Sequence, residues 1–257
     1  MAVPIEKTNV VTAIVYDVET GGLDCNKCAV TQVSFHAVRL DTFELMETYV
    51  AYIYPYTKKK DIGKPKRKVL KNKYDTEEEE LMEYGSGAEA ITHITMDLLY
   101  AQGKQLEIVC EEICDFIERN TLPVPASNKP IMVGQNPLFD NGFIQQIMLY
   151  TGLWARFCKL VRGKKDYWGN FQPVQVDTII LAQLALGDDK SINNWKLESL
   201  ADIFGIELDD AHDADADVGA TRDILKVIAS RMRNSSNYIG EEFTGIKKEK
   251  LRDYFKI

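Results

Sequence analysis

The stretch that most constrains this chain is Val10-Val11-Thr12-Ala13-Ile14-Val15-Tyr16-Asp17-Val18-Glu19-Thr20-Gly21-Gly22-Leu23. Its β-branched, apolar first half reads as a buried strand, and two carboxylates close it just before a Gly-Gly turn. Side chains two apart on a strand share a face, so Asp17 and Glu19 look into one space. A carboxylate pair at the end of a central strand is costly unless a positive group lies between the two. A divalent cation suits that place, because Mg²⁺ takes oxygen ligands and is held by one or two carboxylates plus substrate phosphates.

Two more strands are expected after it, over 29–40 and 44–54, in an antiparallel meander with turns at Asp24-Cys25-Asn26-Lys27 and Asp41-Thr42. Helical periodicity starts near Ala88 and is plain over 108–118, where Cys110 and Cys114 fall on the apolar stripe. Pro130-Ile131-Met132-Val133-Gly134 reads as a short buried strand. It leads through Gln135-Asn136-Pro137-Leu138-Phe139-Asp140 into a helix over 141–151, setting a third carboxylate at a strand-to-helix junction. Asp177 or Thr178 is the expected N-cap of a helix over 179–186. A short helix follows over 197–204, closed by Gly205, and a long one over 218–233. Asp217 belongs to the start of that last helix with His212 just before it, a pairing that lets a loop imidazole and a helix carboxylate converge on one water.

Other segments stand apart from this pattern. Lys58 to Lys73 holds nine Lys or Arg against one acid, and Glu77-Glu78-Glu79-Glu80 follows. The charges suit either a solvated insertion or a basic flap that meets phosphates. Residues 157–172, with Arg162, Lys164, Lys165, Tyr167 and Trp168, read as a basic-aromatic loop, either plain surface or a single-strand contact. Cys25 and Cys28 form a zinc half-site on paper, but no second pair at metal spacing accompanies them, so surface thiols at a turn are expected.

Asp17, Glu19, Asp140 and Asp217 together suggest two-metal phosphodiester hydrolysis, in which one ion activates a water and the other steadies the leaving 3′-oxygen. His212 is the expected base, since an imidazole exchanges its proton near neutral pH. His36 and His93 fall in strand and helix contexts and read as structural. A net charge of −8 argues against nucleic acid coating the whole surface, yet leaves room for an enzyme that holds one strand end. No run of 18 or more apolar residues suggests a membrane span, and Met1 to Lys7 lacks an apolar leader. A cytoplasmic protein with free thiols is expected.

Asp17-Val18-Glu19-Thr20-Gly21-Gly22-Leu23 resembles the first motif of the DEDDh, or DnaQ-like, 3′–5′ exonucleases. Gln135 to Asp140 resembles the second, and His212 to Asp217 with Gly219-Ala220-Thr221 the third. Ile91 to Thr95, Val176-Asp177-Thr178 and Leu197 to Leu200 fall where similar segments of the family fall. The resemblance covers roughly residues 10–232. It implies an α/β, RNase H-like fold: a five-stranded mixed sheet flanked by helices on both faces. It implies metal ligation by Asp17, Glu19, Asp140 and Asp217, His212 as base, and two divalent ions, Mg²⁺ or Mn²⁺. The substrate end would meet Thr20, Gly21, Leu23 and Asn136, with the Glu19–Thr20 backbone taking the 3′-OH and Leu23 wedging at the last base. Gly21 stands where the family often has Thr, and Gln135 where it often has His.

The expected organisation is one exonuclease domain over 8–233 with a basic insertion at about 56–87, then a 234–257 tail with a weakly amphipathic helix near its end. The expected activity is removal of nucleotides from the 3′ end of DNA, preferably single-stranded. An exoribonuclease of the same family and a non-catalytic nucleic-acid-binding module are the alternatives. Nucleic acid is the expected partner; a separate polymerase or repair partner and a stand-alone trimming enzyme both fit.

Overall fold

A computed structural model describes residues 10–59, 80–123, 129–208 and 212–234. Most of the basic stretch and the 234–257 tail, including its expected helix, therefore lie outside the described residues.

The opening stretch forms β1 (Thr12–Thr20), the middle of a five-stranded sheet. β2 (Val30–Arg39) and β3 (Leu45–Tyr52) make the expected antiparallel meander beside it. Three short helices follow, α1 (Ser86–Thr92), α2 (Met96–Gln102) and α3 (Leu106–Arg119). On the far side of β1 lie β4 (Ile131–Gly134) and, after α4 (Pro137–Tyr150) and α5 (Trp154–Leu160), β7 (Gln175–Asp177), both parallel to it. The order is β3-β2-β1-β4-β7, a mixed sheet. α6 (Thr178–Leu186), α7 (Leu197–Phe204) and α8 (Ala214–Asn234) follow among the described residues.

Strand parity divides the core. Ile14, Tyr16 and Val18 pack with Phe35, Phe116, Ile113 and Phe143 under α3 and α4. Ala13 and Val15 turn the other way, onto Val218 and Leu225 of α8. Helices thus cover both faces, and β1 is buried on each side, which explains its unbroken apolar run. Cys110 and Cys114 are buried in the first of these clusters, and all five cysteines are free.

Four local expectations are corrected. α4 begins at Pro137, because proline at the first helical position gives up no hydrogen bond, so Asp140 lies inside the first turn rather than ahead of the helix. Val176 and Asp177 belong to a strand, too short and too isolated by Pro173 to show a periodicity of its own. Residues 157–172 are the end of α5 and a two-stranded hairpin, β5 (Gly163–Lys165) with β6 (Phe171–Pro173), rather than a loop. The edges of the 55–87 segment are packed, not solvated: Met82 is buried, and Tyr56 hydrogen-bonds the Val30 N–H through its hydroxyl oxygen.

Candidate active site

Asp17 and Glu19 share the parity of Ala13 and Val15, so both point to the α8 side of the sheet, where Asp217 stands in the first turn of α8. Carboxylate oxygens of Asp17, Glu19 and Asp217 lie within 4.8 Å of one another. One Asp217 oxygen, Oδ1, is buried without a hydrogen-bond partner. Three like charges brought that close, with an orphaned oxygen among them, make a poor closed structure and a good donor set for a hard divalent cation.

The titration of these groups follows. Burial, then Asp140, Glu19 and Asp217, hold the Asp17 carboxyl well above the usual range. Glu19 is pushed up to about 8, first by burial and then by Asp217 and Asp140. Asp217 rises to about 6 through burial, although the His212 imidazole and backbone N–H pull it down. Asp140 reaches about 7 by burial, against the hydrogen bond it accepts from the Val18 N–H at 3.2 Å. Shifts of this size in one cleft mark either a cation site or an acid–base site.

Asp140 thus differs from the other three. It is 3% exposed, lies outside the tight trio, and clips α4 to the end of β1 through Val18. Its charge still reaches Asp17 and Glu19. His212 is exposed on the cleft wall in a left-handed conformation (φ 76°), a costly state for a residue with a Cβ. Asn136 is also left-handed (φ 57°) and exposed, and its N–H donates to Asp177, which caps α6 through the Ile179 N–H as expected. Asp17, His212 and Asp217 line an open cleft of about 470 Å³ with Gln135, Trp195 and Glu198.

The Gly21 turn is built differently from a free strand end. Gly21 donates its N–H to Ala29 and accepts from the Gly85 N–H, so both backbone groups are engaged internally. A Cβ there would lie 2.3 Å from the Glu83 carbonyl oxygen, which accounts for glycine at this position. Thr20 is buried and its hydroxyl donates to the Gly22 carbonyl. Leu23 is 86% exposed and Leu138 of α4 is also largely exposed, so apolar side chains are offered to solvent by each of the first two motifs. Gln135 donates to the Trp195 carbonyl at 2.9 Å and accepts from the Thr178 hydroxyl, tying the α6–α7 connection to β4. Cys25 and Cys28 join no metal-ligand cluster among the described residues, and Cys28 is not the expected surface thiol but is buried in the core under α4.

Sequence reading missed the support beneath α8. On β2, Gln32, Ser34 and His36 alternate along the face that carries Asp17 and Glu19 on β1. Gln32 donates to Asp213 (2.9 Å) and accepts from the Ala214 N–H. Ser34 donates to Asp215, and the His36 Nε2 lies 2.7 Å from the same carboxylate. Polar residues two apart inside an otherwise apolar strand were the signal. His36 is structural, as expected, and what it holds is the turn bearing Asp217.

No family model and no curated protein sequence matches the chain. Solved structures do. E. coli exonuclease I in complex with a dT13 oligonucleotide aligns with a TM-score of 0.59 at 24% identity, over 95% of this chain and 46% of that one. Another exonuclease I structure gives 0.60 at 22% identity, over 96% and 46%. The zinc-bound complex of the E. coli protein with single-stranded DNA gives 0.58 at 24%, over 96% and 46%. The fold is that of exonuclease I. It is RNase H-like, as the three motifs implied, and the chain spans a little under half the length of the exonuclease I chains it matches. Among the described residues no helix is long and apolar enough to cross a membrane.

Proposed function

We propose that this protein is a metal-dependent 3′–5′ exonuclease that releases nucleotides from single-stranded DNA. The observation that carries the reading is the trio of Asp17, Glu19 and Asp217 with its orphaned Asp217 oxygen, seated in an exonuclease I fold. The nearby Asp140 completes a set of four acids that fits two divalent ions, Mg²⁺ or Mn²⁺. Such ions, when bound, lower the pKa of a water and neutralise charge developing on the phosphate.

The chain's own residues do the rest. Asp17, Glu19 and Asp217 would hold the metal with Asp140 as the fourth acid beside them, and Asp140 also fixes the end of β1 through Val18. His212, exposed on the cleft wall, takes the proton from the attacking water on a ring nitrogen and returns it to solvent. The water oxygen bonds to phosphorus as the bond to the 3′-oxygen breaks, and that oxygen takes up a proton from solvent water. A nucleoside 5′-monophosphate departs and the shortened strand keeps a 3′-hydroxyl. Leu23 packs on the terminal base, Asn136 lies at the rim, and the Thr20–Gly21 turn sets the position of Leu23.

The test is hydrolysis of end-labelled single- and double-stranded DNA and RNA, with Mg²⁺, Mn²⁺ or EDTA. The expected result is metal-dependent laddering from the 3′ end of single-stranded DNA, absent in Asp17→Ala. Full activity in Asp17→Ala sinks the assignment, and faster loss of RNA makes the enzyme an exoribonuclease.

A further inference from the structure

α4 starts at the cleft, next to Asn136, and its 14 residues carry it about 21 Å away. One cavity follows its outer face, and a second, between α5 and the β5–β6 hairpin, meets it at Gln145. The first, about 340 Å³, begins at Cys25 and Asn26, just past Leu23, and runs over Gly142. The second, about 580 Å³, runs from Gln145 over Trp154 and Lys159 to Lys164 and Phe171 of the β5–β6 hairpin. The two make one path from the motif I turn to the hairpin.

The far end of this path has an unusual surface for a chain of net charge −8. Lys159, Lys164 and Lys165 are exposed and make no ion pair among the described residues, whereas Arg156, on the same helix as Lys159, is held by Asp115 and Glu118. Asp166, the one acid of the hairpin, is used by its own turn, accepting from the Trp168 and Asn170 N–H groups. That turn presents Tyr167 (94% exposed) and Trp168 (81% exposed) edge to face, with ring centroids 5.7 Å apart. Soluble proteins seldom leave two adjacent large aromatics bare beside unpaired lysines unless something covers them.

We propose that the outer face of α4 and the β5–β6 hairpin form a binding tract for single-stranded nucleic acid, taking the 5′-ward part of the strand whose 3′ end enters the cleft. Only the strand direction rests on the exonuclease reading. Lysines meet phosphates and the exposed rings stack on bases, the combination that binds single strands without reading sequence. An acidic peptide would satisfy the lysines but leave Tyr167 and Trp168 without a flat partner.

The experiment is fluorescence anisotropy in EDTA with labelled oligothymidylates of about 4 and about 12 nucleotides, lengths that bracket one single-strand site. The longer strand binds the wild-type protein more tightly. Trp168→Ala weakens the longer strand roughly ten-fold, the value of one base stack. Lys164→Ala/Lys165→Ala lowers the slope of log affinity against log salt by roughly 1.4, about 0.7 for each phosphate contact. Thermal unfolding checks that the variants fold, and Tyr167→Ala replaces either one that does not. Variants that keep the full advantage of the longer strand overturn the proposal. So does the loss of a labelled acidic peptide while the oligonucleotide still binds, which gives the surface to a protein partner. Hairpin-dependent binding by a protein that hydrolyses nothing keeps this proposal and removes the exonuclease one; hydrolysis with no hairpin dependence does the reverse.

Discussion

The cleft and the hairpin both gather charges of one sign, yet they behave in opposite ways. At the cleft, Asp17, Glu19, Asp140 and Asp217 are largely withdrawn from water, and all four titrate high, by burial first and, at Asp17, Glu19 and Asp217, by neighbouring acids as well. At the hairpin, Lys159, Lys164 and Lys165 stay in solvent, where high dielectric keeps their repulsion small. A buried acid cluster has to be held together by the fold, and the hydrogen bonds from β2 to the first turn of α8 do so. An exposed basic cluster needs no such frame, only a turn, which Asp166 supplies. Fold energy is therefore stored at one site and hardly at all at the other.

The sharpest test of that contrast is Asp217→Asn, which keeps the shape and removes one of the crowded charges. Hydrolysis should fall at least about 1,000-fold, the scale of several kcal/mol that a lost metal ligand forfeits. The melting temperature of the metal-free protein should at the same time rise at pH 8, because repulsion is relieved. A fall in both would mean that Asp217 holds the fold rather than a cation.

Gln32→Leu comes next. It removes the donor to Asp213 and the acceptor of the Ala214 N–H without touching the trio. Metal affinity, measured by calorimetry, and activity should drop roughly 10- to 100-fold, as for other outer partners of a ligand. Unchanged metal affinity with lowered stability would reduce this contact to packing.

The pH dependence is smaller and has a definite sign. Glu19 moves from 4.5 to about 8, Asp140 from 3.8 to about 7 and Asp217 from 3.8 to about 6 on folding. The folded state then binds more protons than the unfolded one between about pH 4 and 8, so stability is full at the acid end and lost as pH rises. In EDTA the melting temperature should fall by several degrees, roughly 5 °C, from pH 5 to 8, and Mg²⁺ or Mn²⁺ should restore it most at pH 8. A flat curve in EDTA would show that the carboxylates are better solvated than their burial implies.

Arg156→Ala should do least. Its pairs with Asp115 and Glu118 lie at the surface, and losing them should cost no more than about 1 kcal/mol in a denaturant titration. A larger loss would show that exposed charges in this protein also carry fold energy.

Much of the cleft was legible from local chemistry. Parity alone sends Asp17 and Glu19 to one face of β1, and the turn after His212 starts a helix that carries Asp217 on its first turn. The meander and the N-cap at Asp177 are likewise short-range patterns. The hairpin was not legible, because strands of three residues show no period and its exposed Lys and aromatic residues resemble any surface loop.

By itself, then, the sequence determined which residues are candidates for the site and the order in which the strands and helices present them, since both depend on neighbours a few positions apart. Only the tertiary structure decided how close Asp17, Glu19 and Asp217 come, that Asp140 is spent partly on Val18, and that Gly21 answers to the Glu83 carbonyl. These contacts join positions far apart in the chain, and burial between them, which sets the electrostatics, has no signature at any one of them. The same holds for the path from Cys25 along α4 to the β5–β6 hairpin, which exists only because α5 and the hairpin fold back beside Gln145.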